Sequence, residues 1–131
     1  MFLKFNYKMI KTLLLVGIGG GLGSVLRYLT AYIVGKFYDN PFPLATFSVN
    51  IFGCLLIGIL IGVLGKQLSP NDDLKYLFIT GFCGGYTTFS TFSAENIQLI
   101  QSGNYVIPAL YIASSVLFGI LAVFLGMFLV K

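Results

Sequence analysis

The sequence has no histidine and only four acidic residues in 131: Asp39, Asp72, Asp73 and Glu95. Without histidine there is no imidazole base, imidazole metal ligand or imidazole proton relay. Glu95 is the only acid inside an apolar segment, so paired acid–base chemistry has no second partner there. No nucleophile–base pair is evident. Glycine spacings that imitate nucleotide loops lie within apolar runs, and no phosphate-binding Lys-Ser/Thr pair follows them. These absences argue against an enzyme and against an organic cofactor. Charge is scarce as well, at 9% of residues against about 25% in soluble domains. The two cysteines, Cys54 and Cys83, both fall in apolar stretches and read as buried thiols rather than a disulfide or metal site. The net charge of +4 comes from lysines scattered over termini and loops. They form no basic stripe interleaved with aromatics, so nucleic acid is not an expected partner. Snorkelling and topology control account for them.

What is present is hydrophobic: 57% of residues. The chain reads as one all-α, multi-pass integral membrane domain, residues 1–131, without internal repeat or linker. Lys4, Lys8 and Lys11 precede an apolar run that is too long for a signal-peptide core and lacks a small-residue cleavage pattern. The run is therefore read as a retained span. Spans are expected at about 12–34, 44–64, 74–101 and 105–130, each long enough to cross a ~30 Å hydrocarbon core. Asn40, Pro41 and Pro43 mark one loop, the polar stretch at 66–75 a second, and Ser102-Gly103-Asn104 a short turn. With alternating spans, six of the seven lysines fall on the side of the N-terminus and only Lys36 on the other, which favours a cytoplasmic N-terminus.

The polar content of the spans is unusual. The first carries glycines at 17, 19, 20, 21 and 23, which suit close helix packing, and then Arg27, which either snorkels or faces an aqueous vestibule. The second holds Thr46, Ser48 and Asn50. Asparagine in a membrane commonly joins helices, but its amide can also donate to an anion. The third contains GFCGGYTTFSTFSAEN at 81–96. Glycine pairs and β-branched threonines make a poor helix centre, so a break is expected near Gly84–Thr88, freeing carbonyls for a cation and amides for an anion. Past the break, Phe89, Phe92 and Asn96 share one face, and Thr88, Thr91 and Glu95 a neighbouring one. In the fourth span Tyr111 and Ser115 are one turn apart, followed by Gly119. That stripe reads as packing or as one wall of a polar pathway.

Transport is the function class left open. Glu95 alone would suit a cation exporter of the small multidrug type. The donors Arg27, Asn50, Ser90, Thr91 and Ser115 suit a small anion instead. Phenylalanine ring edges carry the positive part of the quadrupole and can also touch a hard anion, although a chain with thirteen phenylalanines supplies packing rings in any case. A non-transporting structural membrane protein is the third possibility. So much polar surface is not expected to face lipid, which points to an oligomer, most simply a two-fold dimer.

GFCGGYTTFSTFSAE at 81–95 resembles the signature of the Fluc/CrcB family of fluoride channels. IGGGLGSVLRY at 18–28 and FPLATFSVNIFG at 42–53 resemble that family's first and second helices, in the same order. The resemblance implies an antiparallel, dual-topology homodimer in the cell (plasma or inner) membrane, with two narrow fluoride pathways along the subunit interface and passive fluoride export that relieves toxicity. It implies that Phe89 and Phe92 line the pathway with their ring edges and that Asn50 helps coordinate fluoride. Ser90 and Thr91 would supply the hydroxyls between the rings, and Tyr111 and Ser115 a fourth-helix polar track. Arg27 matches a vestibule arginine, and Glu95 the third-helix acid. Gly84 and Thr87 match positions whose backbone carbonyls hold a central structural sodium ion shared by both subunits. Two departures stand out: Gly119 replaces a serine found in some members, and the lysine asymmetry exceeds what dual topology implies.

Overall fold

The computed structural model describes residues 6–65 and 72–131, and among these every regular element is a helix. Helix α1 spans Tyr7–Phe37. Asn6 starts it: its Oδ1 accepts the Met9 N–H at 2.9 Å, satisfying one of the free donors of the first turn. Its 31 residues reach about 46 Å at ~1.5 Å per residue, so it extends beyond the 12–34 expectation at both ends. It ends at Tyr38, extended at φ −131°, ahead of Pro41 and Pro43, which lack the N–H that a continuing helix needs. Helix α2 is Leu44–Leu64, as the apolar run indicates.

The expected polar loop at 66–75 lies partly outside the described residues. Where the chain is described again, the Asp72 carboxylate accepts the Leu74 N–H at 3.0 Å, in keeping with an acid at a helix start. Lys11 of α1 forms an ion pair with Asp73 at this end. The next segment, α3, comprises a π-helical stretch, Lys75–Cys83, and one α-turn, Gly84–Tyr86. The wider winding shows where the Gly84 N–H reaches back five residues to the Ile79 carbonyl. Helix α4 is Phe89–Gln101 and α5 is Val106–Leu129. Between them Gly103, at φ +83°, allows the Asn104 N–H to reach the Leu99 carbonyl and the Gly103 N–H the Ile100 carbonyl, both at 3.0 Å. This Schellman turn folds α5 back against α4.

Small residues pair the helices. Gly19 and Gly23 of α1 face Gly81 and Gly85 of α3 so closely that a Cβ on Gly23 would collide with the Phe82 carbonyl and one on Gly85 with the Gly20 carbonyl. On the other side of the bundle, Gly58 of α2 lies against the Val123 carbonyl of α5, and Gly126 of α5 against the Leu55 carbonyl of α2. Without a hydrophobic drive between helices in lipid, such backbone contact is what associates them.

Among the described residues three helices, α1, α2 and α5, are long and apolar enough to cross a membrane. The stretch expected as a single span at 74–101 is divided by Thr87 (ψ 158°) and Thr88 (φ −150°, ψ 119°), so neither part has membrane length alone. The break lies within 84–88, but its cause differs from the glycine weakness that suggested it. Gly84 is helical, at φ −62° and ψ −37°. Gly81 and Gly85 serve close approach to α1, and the threonines carry the extended backbone.

Candidate functional site

The break is held by one side chain. Asn50 of α2 accepts the Thr88 N–H on Oδ1 at 2.8 Å and donates from Nδ2 to the Thr88 carbonyl at 3.0 Å. The buried Thr88 hydroxyl caps α4, accepting the Thr91 N–H at 3.2 Å and donating to the Thr91 hydroxyl at 3.1 Å. Both bonds divert donors. In an unbroken helix Thr88 N–H would bond the Gly84 carbonyl and Thr91 N–H the Thr87 carbonyl. The two backbone oxygens expected to hold sodium have thus lost their helical donors. Gly84 is also open: nothing lies within 4 Å of where a Cβ would sit. Oxygen-only, uncharged and released from the helix, this donor set fits a small hard cation.

Beyond the cap, Phe89 and Phe92 have ring centroids 5.7 Å apart, tilted by 35°. Phe89 is 79% exposed and borders a cavity of about 430 Å³ with Asn50, Cys54, Cys83, Gly84, Thr87 and Thr88. Phe92 turns inward, edge-on to Tyr111 at 4.8 Å and 63°. Ser90 and Thr91 are exposed at the start of α4.

Glu95 gathers hydroxyls from two other helices. Its Oε1 accepts Thr46 Oγ1 at 2.6 Å and its Oε2 accepts Tyr111 OH at 2.8 Å. Tyr111 is fully buried, with Phe42 at 5.3 Å on another side. Ser115, one turn further along α5, has a buried hydroxyl with no partner among the described residues. Arg27 borders a second cavity, of about 260 Å³, together with Ser24, Thr46, Thr88 and Thr91.

The structure therefore gathers Asn50, Thr87 and Phe89 at one cavity, Arg27 and Thr91 at another, and Phe92, Glu95 and Tyr111 in one contact network. The Ser115 hydroxyl has no hydrogen-bond partner among the described residues, and Ser90 approaches Thr88 Oγ1 at 3.4 Å. Sequence reasoning assigned no role to Thr46 or Thr88. Signals existed for both: Thr46 lies one turn before Asn50 on the same helix face, and a threonine just before a renewed helix is a frequent N-cap.

Fold and site together define a multi-pass membrane protein with an interrupted helix, whose apolar layer contains a clamped amide, a caged carboxylate and paired phenylalanines. Residues 14–127 match the family described as "CrcB-like protein, Camphor Resistance (CrcB)", and the chain belongs to it. It is 52% identical to a protein of Flavobacterium psychrophilum over 122 residues, 93% of this chain and 98% of that one. It is 49% identical to one of Azobacteroides pseudotrichonymphae, over 94% and 98%, and 47% identical to one of Phocaeicola vulgatus, over 92% and 98%. Each of the three relatives is named a fluoride-specific ion channel.

Proposed function

We propose that this protein is a fluoride-selective ion channel that lets fluoride leave the cell passively and so lowers its toxicity. The observation that carries the reading is the start of α4: two phenylalanines, one exposed and one edge-on to Tyr111, next to a break clamped by Asn50. Fluoride is small and strongly hydrated, and a pathway for it must replace water with N–H, O–H and ring-edge contacts. Asn50 retains one N–H beyond the bond to Thr88. Thr91 accepts from Thr88 and keeps its own hydrogen, and Ser115 has its hydroxyl unspent. Arg27 bordering an open cavity suits a vestibule that concentrates anions. A cation exporter built on Glu95 is disfavoured, because each carboxylate oxygen already accepts a hydroxyl.

The working unit is an antiparallel, dual-topology homodimer in which α3 and α4 together make the fourth crossing of each chain. Exposed Ser90, Thr91 and the open backbone at Gly84 are poor lipid neighbours, and a two-fold mate covers them together with Phe89 while completing two pathways. A sodium ion on the Gly84 and Thr87 carbonyls of both copies fixes the crossing breaks electrostatically. The test is fluoride efflux from liposomes holding the purified protein, read with a fluoride electrode and a chloride control. Fast, chloride-free release without a proton gradient supports the reading, and no release from vesicles shown to contain folded dimer overturns it.

A further inference from the structure

Asn96 is the one buried residue of α4, at 5% exposure. Its Nδ2 donates to the Phe92 carbonyl at 2.8 Å. Its Oδ1 has no partner among the described residues. A primary amide offers two N–H donors and a carbonyl with two acceptor positions, so most of its capacity is unspent. Leaving such a group idle in an apolar layer is unfavourable, because no water is there to serve it. The Glu95 carboxylate next to it is already supplied by Thr46 and Tyr111.

Position gives the idle amide a meaning. Asn96 follows Phe89 by seven residues, which returns it to within about 20° of the same helix face, about 10 Å further along the axis. Phe89, Phe92 and Asn96 form one stripe that passes from the exposed ring at the break to the buried amide, toward the α4–α5 turn. An anion that leaves ring edges on its way out must regain water. A group with a free donor beside a free acceptor can hold the anion and its first water together.

We propose that Asn96 is a binding position for hydrated fluoride beyond Phe92, its free N–H donating to the anion and its Oδ1 accepting from the accompanying water. The proposal rests on the channel reading. The competing role is structural: a side-chain bond that merely fastens the Phe92 carbonyl.

Two variants separate them. Asn96→Thr keeps a hydroxyl that can bond the same carbonyl one turn back but has no second N–H. Asn96→Leu keeps the approximate volume without polar atoms. Losing a hydrogen bond to an ion should slow fluoride efflux about ten-fold or more in both variants, while the dimer forms normally. Efflux from Asn96→Thr at the wild-type rate overturns the proposal. Should both variants fold poorly, wild-type protein labelled with ¹⁵N-asparagine decides: fluoride, but not chloride, should shift the Asn96 side-chain amide resonances, assigned in the wild-type protein through their couplings to the Asn96 backbone. Unshifted resonances refute the site. If wild-type liposomes release no fluoride, it is the channel reading that fails.

Discussion

Asn50 and Thr88 exchange two hydrogen bonds, at 2.8 and 3.0 Å, so that one side-chain amide serves both backbone groups of an extended residue. No water is at hand in the apolar layer to do this, and an unserved break there would be costly. The same exchange removes the Gly84 carbonyl's helical donor and sets Phe89 at the head of a new helix. A single residue on α2 thereby shapes both the carbonyl cluster and the ring pair.

Replacing Asn50 should separate architecture from permeation. Asn50→Ala leaves the Thr88 N–H unpaired, at about 1–3 kcal/mol, while the Thr88 C=O keeps the first intrahelical bond of α4, so the melting temperature in detergent should fall clearly. Asn50→Asp keeps the acceptor for the Thr88 N–H and should recover part of that loss. Its negative charge and missing donors should still abolish fluoride efflux. Wild-type efflux from Asn50→Asp would contradict a coordinating role for the amide.

Much of this could be read along the chain, and the remainder depends on contacts the chain does not display. The bounds of α2 follow from one apolar run between Pro43 and Gly65. The break was legible as a place but not as a mechanism. Glycine pairs look like weak helix, yet Gly85 is helical and is needed where α1 presses against it. That the Thr88 backbone finds partners while extended depends on Asn50 arriving from 38 residues away. Glu95 was visible as a lone membrane acid. Its partners Thr46 and Tyr111 sit on two other helices, and no periodicity within α4 announces them.

The glycine contacts predict opposite outcomes for alanine at neighbouring positions of α1. A Cβ on Gly23 would collide with the Phe82 carbonyl, backbone that cannot step aside. Gly23→Ala should push α1 off α3 and reduce the yield of folded protein in size-exclusion chromatography. Gly17 has nothing within 4 Å. Gly17→Ala should be neutral or stabilising by up to about 1 kcal/mol, because alanine is the better helix former. Equal behaviour of the two variants would remove the close-packing account.

Sodium should be measurable as stability. If the Gly84 and Thr87 carbonyls bind it in the folded dimer only, each tenfold rise in sodium well above the dissociation constant adds about 1.4 kcal/mol. Exchanging sodium for N-methylglucamine at constant ionic strength should lower the melting temperature or split the dimer. Lithium or potassium should restore it incompletely. A melting temperature indifferent to the cation would leave these carbonyls without that role.

Phe89 and Phe92 differ in what holds them, and their isoleucine variants should differ accordingly. Phe89 is 79% exposed on the chain's own surface. Phe89→Ile removes few contacts within the chain, so monomer stability should barely change. Phe92 packs its ring edge-on with Tyr111 at 4.8 Å, an arrangement worth about 0.5–1.5 kcal/mol beyond buried area. Phe92→Ile should lower stability by that order. For fluoride the two should behave alike, because isoleucine offers no positive ring edge at either position: efflux should collapse in both. Phe92→Tyr is the sharper probe, since it retains a ring edge while adding a hydroxyl near Tyr111. If efflux tracks stability across the three variants, the rings serve packing. If it collapses in Phe89→Ile at unchanged melting temperature and survives in part in Phe92→Tyr, the ring edges themselves carry the ion.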